Sequence, residues 1–580
     1  MKITSKIYQE LNYQVQNLLF EQGLNLSAKK IAELINTASQ QCVDRLHHAA
    51  VNEQLSAETM LTTSVDDYID LLKQQQKKQN PTSLFNRWST LEQELKDSIE
   101  NQVLALAYHE HWQQHLQQEA QGYPSLWTSL CAQYEKQEQL MFLEQWGCTG
   151  HPYHPNFRTK TGFNKREVIH YSPEFNAEVP IHWAALHRSI AFTSIDETSY
   201  SLLFIQHFPE AYQSWRQRVA QMQHNPDDYL PLPVHPWQWE NTLRNLCAPL
   251  IESGLLLVVK HLQNTRPSMS FRTMMTSGSY SPHLKLAVAV HTTSSLRTVS
   301  PASVSNSSVL STWIEELLAR HHYYNERLFI ARDLAGINST HPAIPAHGKK
   351  QLAMIVRENP LQRIKASQQL VPLAALFALS PVKKAPLLIE IIEASRLNPV
   401  SYFKQYCRAV LEGQMHLLLH YGLALEAHQQ NTLVIFEQHK PAGLVIRDLG
   451  GIKICLHPLY DRILKPELHP DSTITCTELQ GLSNTFIHGN LLSNLTPFIQ
   501  CLHEYYGFPT ALFWKQVRQL IEELLQSVKA ELPAEMYQWH EEHFLSLPWQ
   551  QKSLLRMRLN LDQDEMLYST VDNPLSQIHD

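Results

Sequence analysis

Leu284-Lys285-Leu286-Ala287-Val288-Ala289-Val290-His291 alternates between bulky apolar residues and a second set that is small or basic. Side chains of a strand point to opposite faces in turn, so Leu284, Leu286, Val288 and Val290 predict a core face. The other face carries Lys285 at one end, His291 at the other, and only the methyl groups of Ala287 and Ala289 between them. That leaves room for a flat ligand against the sheet. The run 269–276 predicts a neighbouring strand with Ser270, Arg272, Met274 and Thr276 on one face. If the two strands pair, Arg272 and Lys285 converge on one phosphate chain, with the hydroxyls of Ser270 and Thr273 nearby. Arg297 follows Thr292-Thr293-Ser294-Ser295, which reads as a helix start and a second anion site. The plainer account is a half-exposed sheet carrying surface cations.

Outward from this strand the pattern changes twice. Residues 1–140 read as helices. Ile31, Leu34, Ile35, Ala38, Cys42 and Leu46 recur at helical spacing behind Ser27 as N-cap, and Leu91, Leu95, Ile99, Val103 and Leu106 form a second stripe. Lys73 to Ser83, rich in Gln and Lys and closed by Pro81, predicts an exposed loop. From about residue 145 prolines, aromatics and short β-type runs take over, with 255–259 a further strand and 300–311 a serine-rich loop. Helical stripes return from 369, interrupted by a hairpin of 432–436 and 444–447 turning at Pro441-Ala442-Gly443. The expected fold class is α+β and multidomain: a helical domain (1–140), a mixed β-sheet domain (141–368) and a helix-rich domain carrying a small β-hairpin (369–580).

A chain of 580 residues is too long for one core. Its net charge of −7 argues against a nucleic-acid or anionic-membrane binder. With only 17 glycines it has few backbone nests for phosphate, so a phosphate site must lean on Arg, Lys and His side chains. There is no signal-like apolar start and no apolar run of about 20 residues. The eight cysteines are scattered without a Cys-x-x-Cys pair, which predicts reduced thiols in the cytoplasm. No P-loop, G-x-G-x-x-G or G-x-S-x-G pattern occurs. His111 and His115 have metal-compatible spacing, but without a nearby Cys or carboxylate cluster and with no HExxH they read, with His109, as a surface helix.

Three further segments carry chemistry. Gly150-His151-Pro152-Tyr153-His154-Pro155, running on through Arg158 and Lys160 to Gly162, is a stiff loop presenting imidazoles and cations, suited to an anion. Glu426-Ala427-His428-Gln429-Gln430-Asn431 precedes the hairpin, and Arg447-Asp448-Leu449-Gly450-Gly451 follows it. An Asn before one strand and an Asp after the next is how kinase-like folds present two oxygens to magnesium, so Asn431 and Asp448 are candidate metal ligands. An ordinary hairpin with a Gly-Gly turn explains the same residues. Lys552 and Arg556 lie at i and i+4 of a basic helix, with Arg558 on another side. Pro233-Val234-His235-Pro236-Trp237 is a second stiff loop, read as packing.

Together these segments, with Arg357-Glu358-Asn359-Pro360, resemble in order the NRPS-independent siderophore synthetases, the aerobactin-synthetase (IucA/IucC-like) family. Arg158 and Lys160 reverse the family's Lys-then-Arg order, and Gln429 stands where a small residue is common. The resemblance implies a cupped hand of thumb, fingers and palm, a homodimer, and ATP with Mg²⁺ between fingers and palm. It implies that a carboxylate of citrate or a related polycarboxylic acid attacks the α-phosphate, pyrophosphate leaves, and an amine or hydroxyl then takes the acyl group. By that likeness Ser270, Arg272, Thr273 and Lys285 hold the phosphates. His428, Gln430 and Asp448 line the nucleotide and metal side, and Arg297 with His428 reaches the acid. Offsetting the repulsion between acid and nucleotide would also draw on His151, His154 and Lys160 from the loop and on Lys552 and Arg558. Lys285, Arg297, His428 and His154 are the candidate catalytic residues. Two rival readings are a kinase-like phosphotransferase and a non-catalytic ferric-chelate-binding protein.

Overall fold

The alternation at 284–290 is realised, but in two different cores. Leu284 and Leu286 are buried within an eight-stranded sheet, whereas Val288 and Val290 are buried among the N-terminal helices. The regular strand is correspondingly short, His283–Leu286. Beyond it the chain changes partners: Val288 N–H donates to the Arg297 carbonyl at 2.9 Å, and His291 exchanges both backbone bonds with Thr161 at 2.9 and 3.0 Å. The computed structural model describes residues 5–578 apart from 58–61, 63, 80–85, 279, 294, 322–323, 325, 462–463 and 562–565.

The sheet runs in the order Ala191–Thr193, Asp333–Ser339, Ala353–Arg357, His283–Leu286, Thr273–Thr276, Leu256–Pro267, Val179–His187, Tyr229–Val234. Every neighbouring pair is antiparallel. A second sheet of four strands holds the hairpin Thr432–Glu437 and Lys440–Ile446 between Gln368–Pro372 and the parallel strand Leu328–Ile330. The fold is α+β.

Ser27 accepts from Lys30 N–H at 3.2 Å and starts the helix Ala28–Asn52, whose six-residue apolar stripe is fully buried. Leu91, Leu95, Ile99 and Val103 are buried on Trp88–Glu119, with Leu106 half-buried. The loop expected from Lys73 is instead helical as far as Gln79, and Pro81 to Ser83 lie outside the described residues. Asp66 and Asp67 in the first turn and Lys77 and Lys78 in the last complement the helix dipole and extend that helix.

The serine-rich loop is a helix, Pro301–Ala319. Ser300 caps it by accepting from Ser303 N–H, and Pro301 suits the first turn. Ser307 and Ser311 spend their hydroxyls on the carbonyls of Val304 and Ser307, so they fit between the buried Val304, Leu310, Ile314 and Leu317. The hairpin turns at Gln438 and His439, both at positive φ (50° and 66°), rather than at Pro441-Ala442-Gly443. Gly443 lies in the return strand because a Cβ there would sit 2.4 Å from the Arg327 carbonyl. Both hairpin faces are buried: Val434, Phe436, Leu444 and Ile446 against the C-terminal helices, Leu433, Ile435 and Val445 against Leu140 and Leu370. A one-residue slip would exchange these faces, so packing fixes the register.

The parts interlock. The helix Lys136–Trp146 crosses the expected boundary after residue 140 and buries Phe142, Leu143 and Trp146 in the C-terminal core. Leu555 and Leu559 of the last helix are buried among the N-terminal helices. No described helix is long and apolar enough to cross a membrane.

Candidate functional site

Thr273 lies directly opposite Lys285 in the ladder, so the two share a face. Met274 pairs with Leu284 and is buried in the sheet core. The expected face of Ser270, Arg272, Met274 and Thr276 is therefore corrected. Residues 269–272 form a tight turn, closed by Thr273 N–H to Ser270 O at 2.7 Å and Ser268 N–H to Thr273 O at 2.8 Å. Strand alternation does not govern a turn, and Arg272 still swings to the Lys285 side. Its guanidinium donates to the Thr298 carbonyl and feels the charges of Arg297 and Asp448. Burial, with Arg297 beside it, pushes Arg272 down to about 10.

Arg297 is not beyond a helix start. Residues 291–296 fold back as a short hairpin, His291–Thr292 on Ser295–Leu296, with Ser294 outside the described residues. The turn returns Arg297 alongside Val288 and Val290. Its guanidinium is held by Thr292 Oγ1 at 2.5 Å and Thr293 Oγ1 at 2.8 Å.

The hairpin of the second sheet delivers the opposing charge. Asp448 accepts from Lys285 Nζ at 2.8 and 2.9 Å and stands 3.5 Å from Arg357 Nη2. Burial alone would raise its carboxyl, but Lys285, Arg357 and Arg272 hold it well below the carboxylate range. Lys285 is lowered by burial and by Arg357 and Arg272, against the pull of Asp448. Asn431 lies at the same end of the hairpin, where its carbonyl accepts from Arg447 N–H and its amide donates to Glu426 O at 3.2 Å. Gln430 donates to the Met269 carbonyl at 3.3 Å, bracing the turn that carries Ser270 and Arg272. Glu144, fully buried, clamps Arg447 at 2.6 and 3.0 Å and accepts from Met269 N–H at 2.9 Å. One carboxylate thus locks the turn to the hairpin.

The histidine-proline loop closes a third side. Gly150 takes φ 95°, and a Cβ there would meet Phe157 at 2.9 Å. His151 Nδ1 accepts from the N–H groups of Tyr153 and His154 at 3.2 and 3.0 Å. Burial, then His428, Arg297, Arg45 and Lys552, drive His151 down to about 3. His154, buried near His151, Arg558, Arg297 and His291, is also held well below its usual value. Glu426 accepts from Lys552 at 3.2 Å and stands 3.9 Å from His428. Two expected ligands are engaged elsewhere. Lys160 is bound to buried Glu174, which also holds Arg158 at 2.9 Å. Arg558 is bound through both arms to Glu94, behind His154.

The result is a wall of cations (Lys285, Arg272, Arg297 and Arg357) around Asp448, with Asp333 holding Arg357 from behind at 2.7 Å, bordered by uncharged imidazoles. Like charges held this close are suited to a polyanion that neutralises them. Sequence reasoning gave no role to Arg357, Glu426 or Glu144. The signals were present in Arg357-Glu358-Asn359-Pro360 and in Glu426 two residues before His428. Glu144, inside an ordinary apolar helix, had none.

The model of the IucA / IucC family matches residues 139–378, and that of the ferric iron reductase FhuF-like transporter matches 400–567. An uncharacterized protein of Sinorhizobium fredii is 31% identical over 83% of this chain and 80% of its own length. A citryl-spermidine/3,4-dihydroxybenzoyl-citryl-spermidine:spermidine ligase of Bacillus anthracis is 24% identical over 72% of this chain and 67% of its own. The structure of ATP-bound aerobactin synthetase IucA of Klebsiella pneumoniae superimposes with a TM-score of 0.67 at 19% identity, covering 88% of this chain and 86% of that one. With the ordered motifs and the shared fold, these matches show that the chain belongs to the IucA/IucC family.

Proposed function

We propose that this protein is an ATP-dependent siderophore synthetase. It activates a carboxylate of citrate or a related polycarboxylic acid as an acyl-adenylate, releases pyrophosphate, and joins the acyl group to an amine or hydroxyl. The observation that carries this reading is the convergence of Lys285, Arg272, Arg297 and Arg357 on Asp448 from two separate sheets. A triphosphate and a polycarboxylate repel each other by several kcal/mol at contact, and a dense fixed set of cations offsets this. In this reading Ser270, Arg272, Thr273 and Lys285 hold the phosphates, Gln430 supports them, and Arg297, His428 and Lys552 take the acid. Lys160 and Arg558 brace the loop instead of touching ligand.

Magnesium fits as an ion carried by the phosphates. It needs only one or two protein oxygens there, and Asp448, kept anionic, and Asn431 stand at one end of the hairpin. Bound there, it would neutralise phosphate charge. We place the reaction in the cytoplasm, in a homodimer, with residues 1–140, 141–368 and 369–580 as thumb, fingers and palm.

The test is release of pyrophosphate and AMP across a panel of polycarboxylic acids, with and without primary amines. Acid-dependent pyrophosphate from the wild type, lost in Arg297→Ala with the fold intact, supports the proposal. ADP without pyrophosphate would favour phosphotransfer, and no nucleotide turnover with any pair would favour a binding protein.

A further inference from the structure

His488 belongs to Ile487–Leu495, a segment wound as a π-helix. Such wide turns cluster at functional sites because they re-aim side chains. This segment presses on the backbone that carries His428. A Cβ on Gly489 would lie 3.0 Å from Ala427 N, and Ser493 Oγ accepts from Gln429 N–H at 3.3 Å. Tyr153 of the histidine-proline loop donates to the Leu492 carbonyl at 3.3 Å. His488 thus stands where the loop, the His428 segment and Lys552 meet.

Its Nδ1 is shielded from solvent and has no hydrogen-bond partner among the described residues. An unpaired buried polar atom is costly, and such an atom in a native site calls for an explanation such as a ligand or a catalytic role. The neighbouring imidazole cannot serve the same purpose. His151 Nδ1 is already filled by two N–H donors, so its other nitrogen carries the proton and only donates. Glu426 is held by Lys552.

We infer that His488 accepts the hydrogen bond, and then the proton, of the incoming amine, and so selects a primary amine arriving uncharged. This rests on the adenylating reading above. The amine nitrogen forms the C–N bond to the acyl carbon, and the C–O bond to the adenylate phosphate breaks. AMP leaves with that electron pair, and the surplus proton on nitrogen passes to the imidazole and on to water. Arg297 and Lys552 repel an ammonium ion, which leaves the free base as the form admitted. Burial, and then the charge of Lys552, keep the ring neutral, and the two imidazoles beside it, His428 and His151, oppose its protonation.

The experiment separates the two half-reactions of the full-length enzyme. Citrate and ATP are supplied with hydroxylamine, a small trap for the adenylate, or with 1,4-diaminobutane. For His488→Ala we expect trapping to fall less than threefold while kcat/KM for diaminobutane falls at least tenfold. His488→Gln, which keeps an acceptor, should recover amine KM but not kcat. Unchanged diaminobutane kinetics in His488→Ala, or equal losses in both steps, would overturn the inference. A wild type that traps no adenylate would overturn the proposed function and this inference with it, whereas normal trapping with unaltered amine selectivity removes His488 alone.

Discussion

Lys285 and Asp448 meet as a two-pronged ion pair at 2.8 and 2.9 Å, although 163 residues separate them in sequence. Asp448 reaches this position at φ 67°, a conformation costly for a residue with a side chain. Its carboxylate stands where a phosphate would neutralise the same cations. In the proposed reaction a nucleotide with its metal would replace the lysine contact that the pair now provides.

Asp448→Asn should separate these roles. Without the carboxylate, Lys285 and Arg272 lose their internal counter-ion, while Arg357 keeps Asp333 at 2.7 Å. We expect metal-free ATP to bind about tenfold tighter, while turnover with Mg²⁺ falls about a hundredfold or more. Calorimetric titration with and without chelator, beside a pyrophosphate-release assay, measures both. Weaker metal-free binding would contradict the counter-ion role.

Gly451→Ala tests the acid side. The new Cβ would fall 1.7 Å from Glu426 Oε2, so the glutamate must turn away and lose its 3.2 Å contact with Lys552. The clash is with the end of a flexible side chain, so the fold should survive. We expect the KM for the acid to change about tenfold, with the urea midpoint nearly unmoved. An unaltered KM would remove Glu426 and Lys552 from substrate binding.

Much of this site could be read from local pattern, and what could not depended on partners far away in sequence. The core face of Leu284, Leu286, Val288 and Val290 follows from alternation alone, since every position was set by burial. Arg272 could not be placed by that rule because it is the last residue of the tight turn 269–272. The helix at 301–319 was hidden by serine content, as serines that bond their own helix backbone can enter a core. Gly443 drew the turn to itself, whereas its small size serves a close approach by Arg327. Lys160 looked like a ligand because Glu174, which claims it, is unremarkable in sequence.

Lys160→Met makes that last correction testable. Glu174 would keep only Arg158 as counter-ion in a buried setting, and losing one partner of a buried pair typically costs ~3–5 kcal/mol. With Arg158 remaining we expect the lower end of that range and a melting temperature several degrees below wild type. The KM for ATP should stay within about twofold. A large rise in that KM at unchanged stability would return Lys160 to the nucleotide site.

Acid should unfold this protein by way of its buried histidines. His235, His283 and His540 are at most 1% exposed, and burial drives each down to about 3. In the unfolded chain they would titrate near ~6.5. Below that pH the unfolded state binds a proton that the folded state refuses, so stability falls as pH falls. Each group contributes ~1.4 kcal/mol per pH unit between about 6.5 and 3. The contribution is complete above pH 7, so the urea midpoint should be flat there and drop steeply between pH 6 and 5. Phenylalanine at His283, where Arg447 and Arg357 add to the effect of burial, should shallow that drop by about one group's share. A midpoint that stays level from pH 7.5 to 5 would mean that these rings find partners on protonation.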